Sequence, residues 1–200
     1  QLLKEPAFAD FPEHLEMIRS EAFRVKAITQ NLLDFSRQKR SSKAEAVDLG
    51  ELLQATEQLV SHRLAEEEKL LRLELPDVPV VIQGDGVSLR QLLLNLTVNA
   101  LDAAASEIRW TLAPEGAPES AGARLVCEDD GAGFDEEALQ RALEPFYTQK
   151  PTGKGTGLGL SIAYGIAREH GGEIELGRAL TGGARVVVQL SSLESGEART

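Results

Sequence analysis

LRQLLLNLTVNALDAA, running from Leu89 to Ala104, places apolar side chains at Leu89, Leu92, Leu93, Leu96, Val98, Ala100 and Leu101. Separations of this kind predict one buried helix. Asn95 and Asn99 fall one turn apart on a single face of it, and Asp102 follows near the same face. Polar side chains along the edge of an apolar helix need partners, since a buried unpaired amide costs roughly 1–3 kcal/mol. Neighbouring backbone would serve. So would a hard cation and the water ordered around phosphate, which amide oxygens and carboxylates suit.

Downstream, Leu125-Val126-Cys127-Glu128 reads as a strand that runs into Asp129-Asp130-Gly131-Ala132-Gly133-Phe134. A carboxylate at a strand end, followed by glycines that admit close backbone approach, suits recognition of a base edge. Glu144-Pro145-Phe146-Tyr147-Thr148 comes next, then Gly153-Lys154-Gly155-Thr156-Gly157-Leu158-Gly159-Leu160-Ser161. A glycine-rich loop opening into a helix suits phosphate, because the N–H groups of the helix start point at the anion.

In this order and at these spacings, the four stretches resemble the ATP-binding catalytic domain of sensor histidine kinases. That superfamily also holds gyrase, heat-shock chaperones and mismatch-repair ATPases. The matching parts are an asparagine box (Asn95 to Ala100), a first glycine box (Asp129 to Gly133), a phenylalanine box (Pro145 to Tyr147) and a second glycine box (Gly155 to Gly159). The resemblance covers roughly residues 47–190, with a weaker match upstream. It implies an α+β fold, a two-layer sandwich with a mixed sheet covered by helices on one face, preceded by a long bundle-type helix. The implied division is 1–44 for part of a dimerisation and phosphotransfer region, 45–192 for the ATP-binding domain and 193–200 for a polar tail.

The resemblance also implies roles. Asp129 would accept a hydrogen bond from the adenine amine, with Gly131 and Gly133 letting backbone approach the base. Asn99 would ligate Mg²⁺, supported by Asn95 one turn earlier. The segment from Asp135 to Thr156 would form a lid, anchored by Phe146 beside Tyr147. Lys150 and Lys154 are the candidates for the γ-phosphate, and Gly155, Thr156, Gly157, Leu158 and Gly159 would supply the phosphate loop. ATP and magnesium are thus the expected cofactors.

Two features depart from the family. A basic residue and an aromatic commonly follow the asparagine box, where this chain has Asp102 and Ala103. A carboxylate cannot contact phosphate directly, so Asp102 is expected to hold a metal-bound water while the lid lysines take the phosphate. The family's phosphoacceptor histidine precedes an acidic residue and, shortly after, a proline; His14, His62 and His170 all lack that setting. The acceptor helix is therefore expected upstream of Gln1, and no catalytic residue is assigned within the chain.

Composition narrows the classes. The chain has 200 residues, 42% hydrophobic, enough for a real core, and a formal charge of -11, which argues against nucleic acid as a partner. A polyanionic nucleotide would then be held locally, by metal, backbone N–H groups and a few lysines. Cys127 is the single cysteine, which excludes an internal disulfide. No apolar run approaches the ~18 residues of a membrane span. With Gln1 first and Met17 the only methionine, the sequence reads as a cytoplasmic piece of a longer parent, itself open to membrane anchoring.

In chain order, Glu13 to Ser42 carries Leu15, Ile18, Ala22, Val25, Ile28, Leu32 and Phe35 as a narrow seam, predicting a long helix that pairs with another. It resembles the second helix of a kinase dimerisation hairpin, which implies a homodimer in the full-length protein. Helices are also predicted over Glu51–Glu67, Glu136–Leu143 and Gly157–His170. Strands are predicted over Leu70–Leu75, Val78–Ile82, Ile108–Leu112, Arg124–Asp129, Glu173–Leu176 and Ala184–Leu190, with Val47–Leu49 as a short edge strand.

Two functions follow. The first is the catalytic part of a histidine kinase, moving the ATP γ-phosphoryl to a histidine on a separate helix of the same protein, with a response regulator downstream. The second is a nucleotide-binding regulatory or scaffold module without phosphotransfer. A gyrase-like hydrolase would need a catalytic glutamate in the asparagine-box helix, and there is none between Val87 and Asp102.

Overall fold

Among the described residues, aspartates set where three of the four helices begin. The computed structural model describes residue 15 and residues 44–116, 122–150 and 155–191. Asp48 accepts from the N–H of Gly50 at 2.8 Å and opens α1, Leu49–Glu66. Asp85 accepts from Val87 and from the Ser88 hydroxyl and opens α2, Gly86–Ala103. Asp135 accepts from Ala138 at 2.7 Å and opens α3, Glu136–Arg141. Each cap satisfies a donor that the first turn leaves orphaned. The fourth described helix, α4 (Gly159–Glu169), starts after Leu158 with no side-chain cap.

Strands β1 (Glu45–Asp48) and β3 (Val81–Gly84) pair antiparallel as a separate ribbon, Val47 opposite Ile82. The main sheet has the order β2-β4-β5-β7-β6, formed by β2 (Leu70–Glu74), β4 (Glu107–Glu115), β5 (Gly122–Asp129), β6 (Glu173–Arg178) and β7 (Ala184–Ser191). β2 runs parallel to β4 and the other neighbours are antiparallel. This is the α+β mixed sheet that the sequence predicts.

Strand alternation sorts the two faces. Ile108, Trp110 and Leu112 of β4, Ala123, Leu125 and Cys127 of β5, and Val186, Val188 and Leu190 of β7 are all buried. They form one core with Leu89, Leu92, Leu93, Leu96 and Leu101 of α2, Leu53 and Val60 of α1, and Ala163, Ile166 and Ala167 of α4. Trp110 donates its indole N–H to Thr97 Oγ1 at 3.1 Å, and Thr97 donates to the Leu93 carbonyl at 2.8 Å. The buried indole therefore keeps a partner inside the core. The opposite face carries ion pairs, Arg72 with Glu107, Arg109 with Glu74, and Arg185 with Glu128.

Several boundaries differ from expectation. The strand predicted over Val78–Ile82 lies at Val81–Gly84, because Pro79 cannot donate to a ladder and the chain pairs with β1 only beyond it. The β4–β5 hairpin reaches further than Leu112 and Arg124, with Pro114 opposite Ala123. β2 ends opposite Thr111, so Pro114 sits where β4 has a neighbour on one side only. α4 begins at Gly159, since Gly157 has φ +67°. The long helix expected over Glu13–Ser42, the tail 193–200 and Lys154 fall outside the described residues, apart from Leu15.

A nucleotide-sized cavity between helix α2 and the end of strand β5

Asp129 ends the inward-facing row Leu125, Cys127, Asp129 of β5, so its carboxylate lies under the helices rather than in solvent, and it is 5% exposed. Oδ1 accepts from the N–H of Gly131 at 2.9 Å and of Ala184 at 3.1 Å. Burial pushes the carboxyl above its ordinary value, these two N–H groups pull it back in part, and neighbouring Asp130 adds to the rise. With both bonds on Oδ1, Oδ2 is the oxygen left for the cavity that Asp129 lines.

Two glycines make that placement possible. A Cβ on Gly131 would lie 2.1 Å from the Ala103 carbonyl oxygen, and one on Gly183 would lie 1.9 Å from the Asp129 carbonyl oxygen. Hence the β6–β7 turn closes on Asp129 and the end of α2 closes on Gly131, two residues further on. Asp130 fastens the same corner from outside. Burial opposes its ionisation, but the Ser106 hydroxyl and the N–H groups of Ser106, Glu107 and Ala105 outweigh it and hold the carboxyl far below the usual range.

The cavity has a volume of about 580 Å³, inside the range of sites that hold drug-sized ligands. Asp129, Cys127, Gly133 and Val186 line one part; Asn95, Asn99, Asp102, Lys150, Gly155, Thr156, Gly157 and Gly159 line another, with Tyr147 on the wall. Thus most of the residues singled out in the sequence share one space. Gly131, Phe146 and Leu158 do not line it. Gly131 shapes the loop behind Asp129, and Leu158 is the buried residue before α4. Phe146, expected to anchor a lid, is 64% exposed with φ 70°, and its N–H donates to the Gly157 carbonyl at 2.9 Å.

Three further contacts place the segment after Phe146. Gln149 donates to Asp135 at 2.8 Å, Arg141 stacks 4.8 Å from the Tyr147 ring centroid, and Lys150 pairs with Asp102. Thr148 and Gln149 also line the cavity, and the sequence drew no attention to Gln149. Its only signal there was a position between two candidate residues. The two oxygens of Asp102, the residue expected to hold a metal-bound water, bind Arg63 and Lys150.

Two of the residues that line the cavity carry a polar atom with no partner. Asn95 Nδ2 and the Tyr147 hydroxyl are buried without a hydrogen-bond partner. The uncapped start of α4 presents Gly157, Gly159 and Leu160 to the same space. A Cβ on Gly159 would sit 3.2 Å from Asn99 Nδ2, so the amide lies against that helix start. Uncapped N–H groups and a positive dipole end are the chemistry that suits a phosphate. The donor set also fits magnesium. The Asn99 amide against the start of α4 suits an ion that arrives with phosphate and keeps most of its waters.

Among the described residues no helix is long and apolar enough to cross a membrane. Residues 84–194 match the family described as histidine kinase-, DNA gyrase B-, and HSP90-like ATPase. The chain is 38% identical over 194 residues to the C4-dicarboxylate transport sensor protein DctB of Pseudomonas aeruginosa, covering 94% of this chain and 31% of that protein. It is 30% identical over 187 residues to the sensor histidine kinase ZraS of Escherichia coli O157:H7, covering 94% of this chain and 40% of that one. It therefore spans less than half the length of these relatives. In fold it resembles full-length ShkA in complex with AMPPNP, with TM-score 0.73 at 24% identity, over 92% of this chain and 40% of that one. The chain therefore belongs to the histidine kinase-, DNA gyrase B- and HSP90-like ATPase family and carries the ATP-binding catalytic domain of the sensor histidine kinase type.

Proposed function

We propose that this domain binds Mg-ATP in the cavity between α2 and the end of β5 and transfers its γ-phosphoryl to a histidine on a separate helix. The observation that carries the proposal is one space with a buried acceptor at Asp129 and an uncapped helix start at Gly159. Asp129 Oδ2 selects the base by accepting from the adenine amine; a base with an acceptor there would leave two acceptors opposed. Backbone N–H groups from Gly157 onward and the Lys150 ammonium hold the phosphates. Magnesium, held by the Asn99 oxygen and the phosphates, would neutralise charge developing on the γ-phosphoryl.

α2 contains no glutamate to activate water, which favours transfer over hydrolysis. Neither described histidine suits as acceptor. His62 is an exposed α1 residue paired with Glu66, and His170 is buried at the end of α4. The proposed partners are an acceptor helix from the same protein, a response regulator and a second copy of the full-length protein; for such a kinase the proposed location is the cytoplasm, with membrane anchoring supplied by other parts of the parent. Mixing the chain with a separately produced acceptor helix and γ-labelled ATP tests the transfer. Label should move to histidine on that helix, and Asn99→Asp should abolish it. Saturable ATP binding with no transfer would favour the regulatory module instead.

A further inference from the structure

Three cations converge on the last turn of α2. Arg63 of α1 pairs with Asp102 Oδ1 at 2.5 Å, Lys150 pairs with Asp102 Oδ2, and Lys69 donates to the Leu101 carbonyl at 2.7 Å. Glu67 lies between the two outer ones, 2.6 Å from Arg63 and 2.8 Å from Lys69. Cations are favoured at a helix C-terminus, where the dipole is negative. Yet Asp102 and Lys150 both line the nucleotide cavity and Arg63 does not. A carboxylate is thus built into the wall of a proposed polyanion site, beside the uncapped start of α4.

Unpaired, that carboxylate would repel phosphate. Its two oxygens instead bind one fixed cation, Arg63, which also has Glu67, and one cation on the cavity wall, Lys150, which has only this partner among the described ion pairs. A triphosphate offers Lys150 more charge and more acceptor oxygens than one carboxylate. When Lys150 turns to it, Arg63 still neutralises Asp102.

We propose that Asp102 is a positioning residue that holds Lys150 at the phosphate end of the cavity until nucleotide phosphate displaces it, with Arg63 keeping the carboxylate compatible with the incoming polyanion. This rests on the assignment of the cavity to ATP. The aspartate that departs from the family's basic residue thereby acquires a defined role, since it keeps Lys150 near its target and each binding event breaks one ion pair.

The test compares ATP with adenosine, which lacks phosphate, by calorimetric titration of the whole chain. Both ion pairs are partly solvent-exposed, and such pairs are modest in strength. Asp102→Asn should therefore raise the ratio of ATP to adenosine affinity about two- to five-fold. In a Lys150→Met background, itself weaker for ATP, that gain should vanish. Arg63→Met should lower the ratio by a similar factor, and adding Asp102→Asn should restore it. Asp102→Ala serves as a second variant, and thermal melting confirms that each one folds. A fall in the ratio in Asp102→Asn, an equal change for both ligands, or a gain that persists without Lys150 overturns the proposal while leaving the ATP assignment intact. Failure of the unsubstituted chain to bind ATP overturns both.

Discussion

Asp129→Asn should separate recognition from folding. Asparagine can keep its oxygen at the Oδ1 position, so the bonds from Gly131 at 2.9 Å and Ala184 at 3.1 Å survive. The second position becomes an amide NH₂, and a donor then faces the donor amine of adenine. Losing a hydrogen bond to a charged acceptor costs about 1.5–3 kcal/mol, and an unmet buried donor adds about 1–3 kcal/mol. A loss of about 3–4 kcal/mol corresponds to affinity weakened by about 10²–10³-fold. Stability should move the other way. Burial raises the Asp129 carboxyl in the folded state, so folding favours the protonated form and the charged form costs stability above the unfolded-state value. Asparagine removes that cost. At neutral pH the ligand-free variant should melt at or above the parent, while calorimetric titration shows ADP affinity collapsed. Affinity within tenfold of the parent, or a ligand-free variant melting well below it, would refute the reasoning.

Two other substitutions read the scaffold. Asp130 is held far below the ordinary carboxylate range, so its contribution is present above the unfolded-state value near pH 4 and is lost as pH falls through the folded value. Asp130→Asn should cost about 1 kcal/mol at pH 7, given its solvent access, and should flatten the acid limb of stability measured by urea unfolding across pH. His170 is 3% exposed, accepts from the Asp85 N–H at 3.0 Å through Nε2 and lies 2.8 Å from the Ile166 carbonyl through Nδ1, tying the end of α4 to the start of α2. His170→Ala removes both links and leaves a void beside Gly84, so it should destabilise by about 2–4 kcal/mol in urea unfolding.

Much of the fold was legible where one local rule dominates. The spacing of Leu89, Leu92, Leu93, Leu96 and Leu101 predicts α2, and all five are buried. Asp48 near the start of a helix is its cap. Where pairing across the sheet decides, local signals mislead. Pro114 lies beyond the strand predicted over Ile108–Leu112, yet it belongs to β4 because β5 continues opposite it. Phe146 reads as an anchor by its position in a motif, while its positive φ and its 64% exposure have no signal in that position. The cavity residues were visible because glycines and asparagines in ordered stretches need a reason to be there. The Arg63–Asp102–Lys150 cluster was not, because its members are far apart in sequence and no spacing rule connects them. Asp130 was hidden for another reason: beside Asp129 it looks like part of the same motif, and only the fold separates a carboxylate that lines the cavity from one that clamps Ser106 and its neighbours.

The central claim is that one cavity takes adenine at Asp129 and phosphate at the start of α4. Its most direct test is amide chemical-shift mapping of the chain titrated with Mg-ADP. Saturable shifts should concentrate at Gly131 and Ala184, whose N–H groups hold Asp129, and at Gly157, Gly159 and Leu160, with Asn95 and Asn99 side-chain amides moving alongside. Shifts that gather on the outer face of the sheet, around Arg72 and Arg185, or no saturable shifts at all, would contradict it.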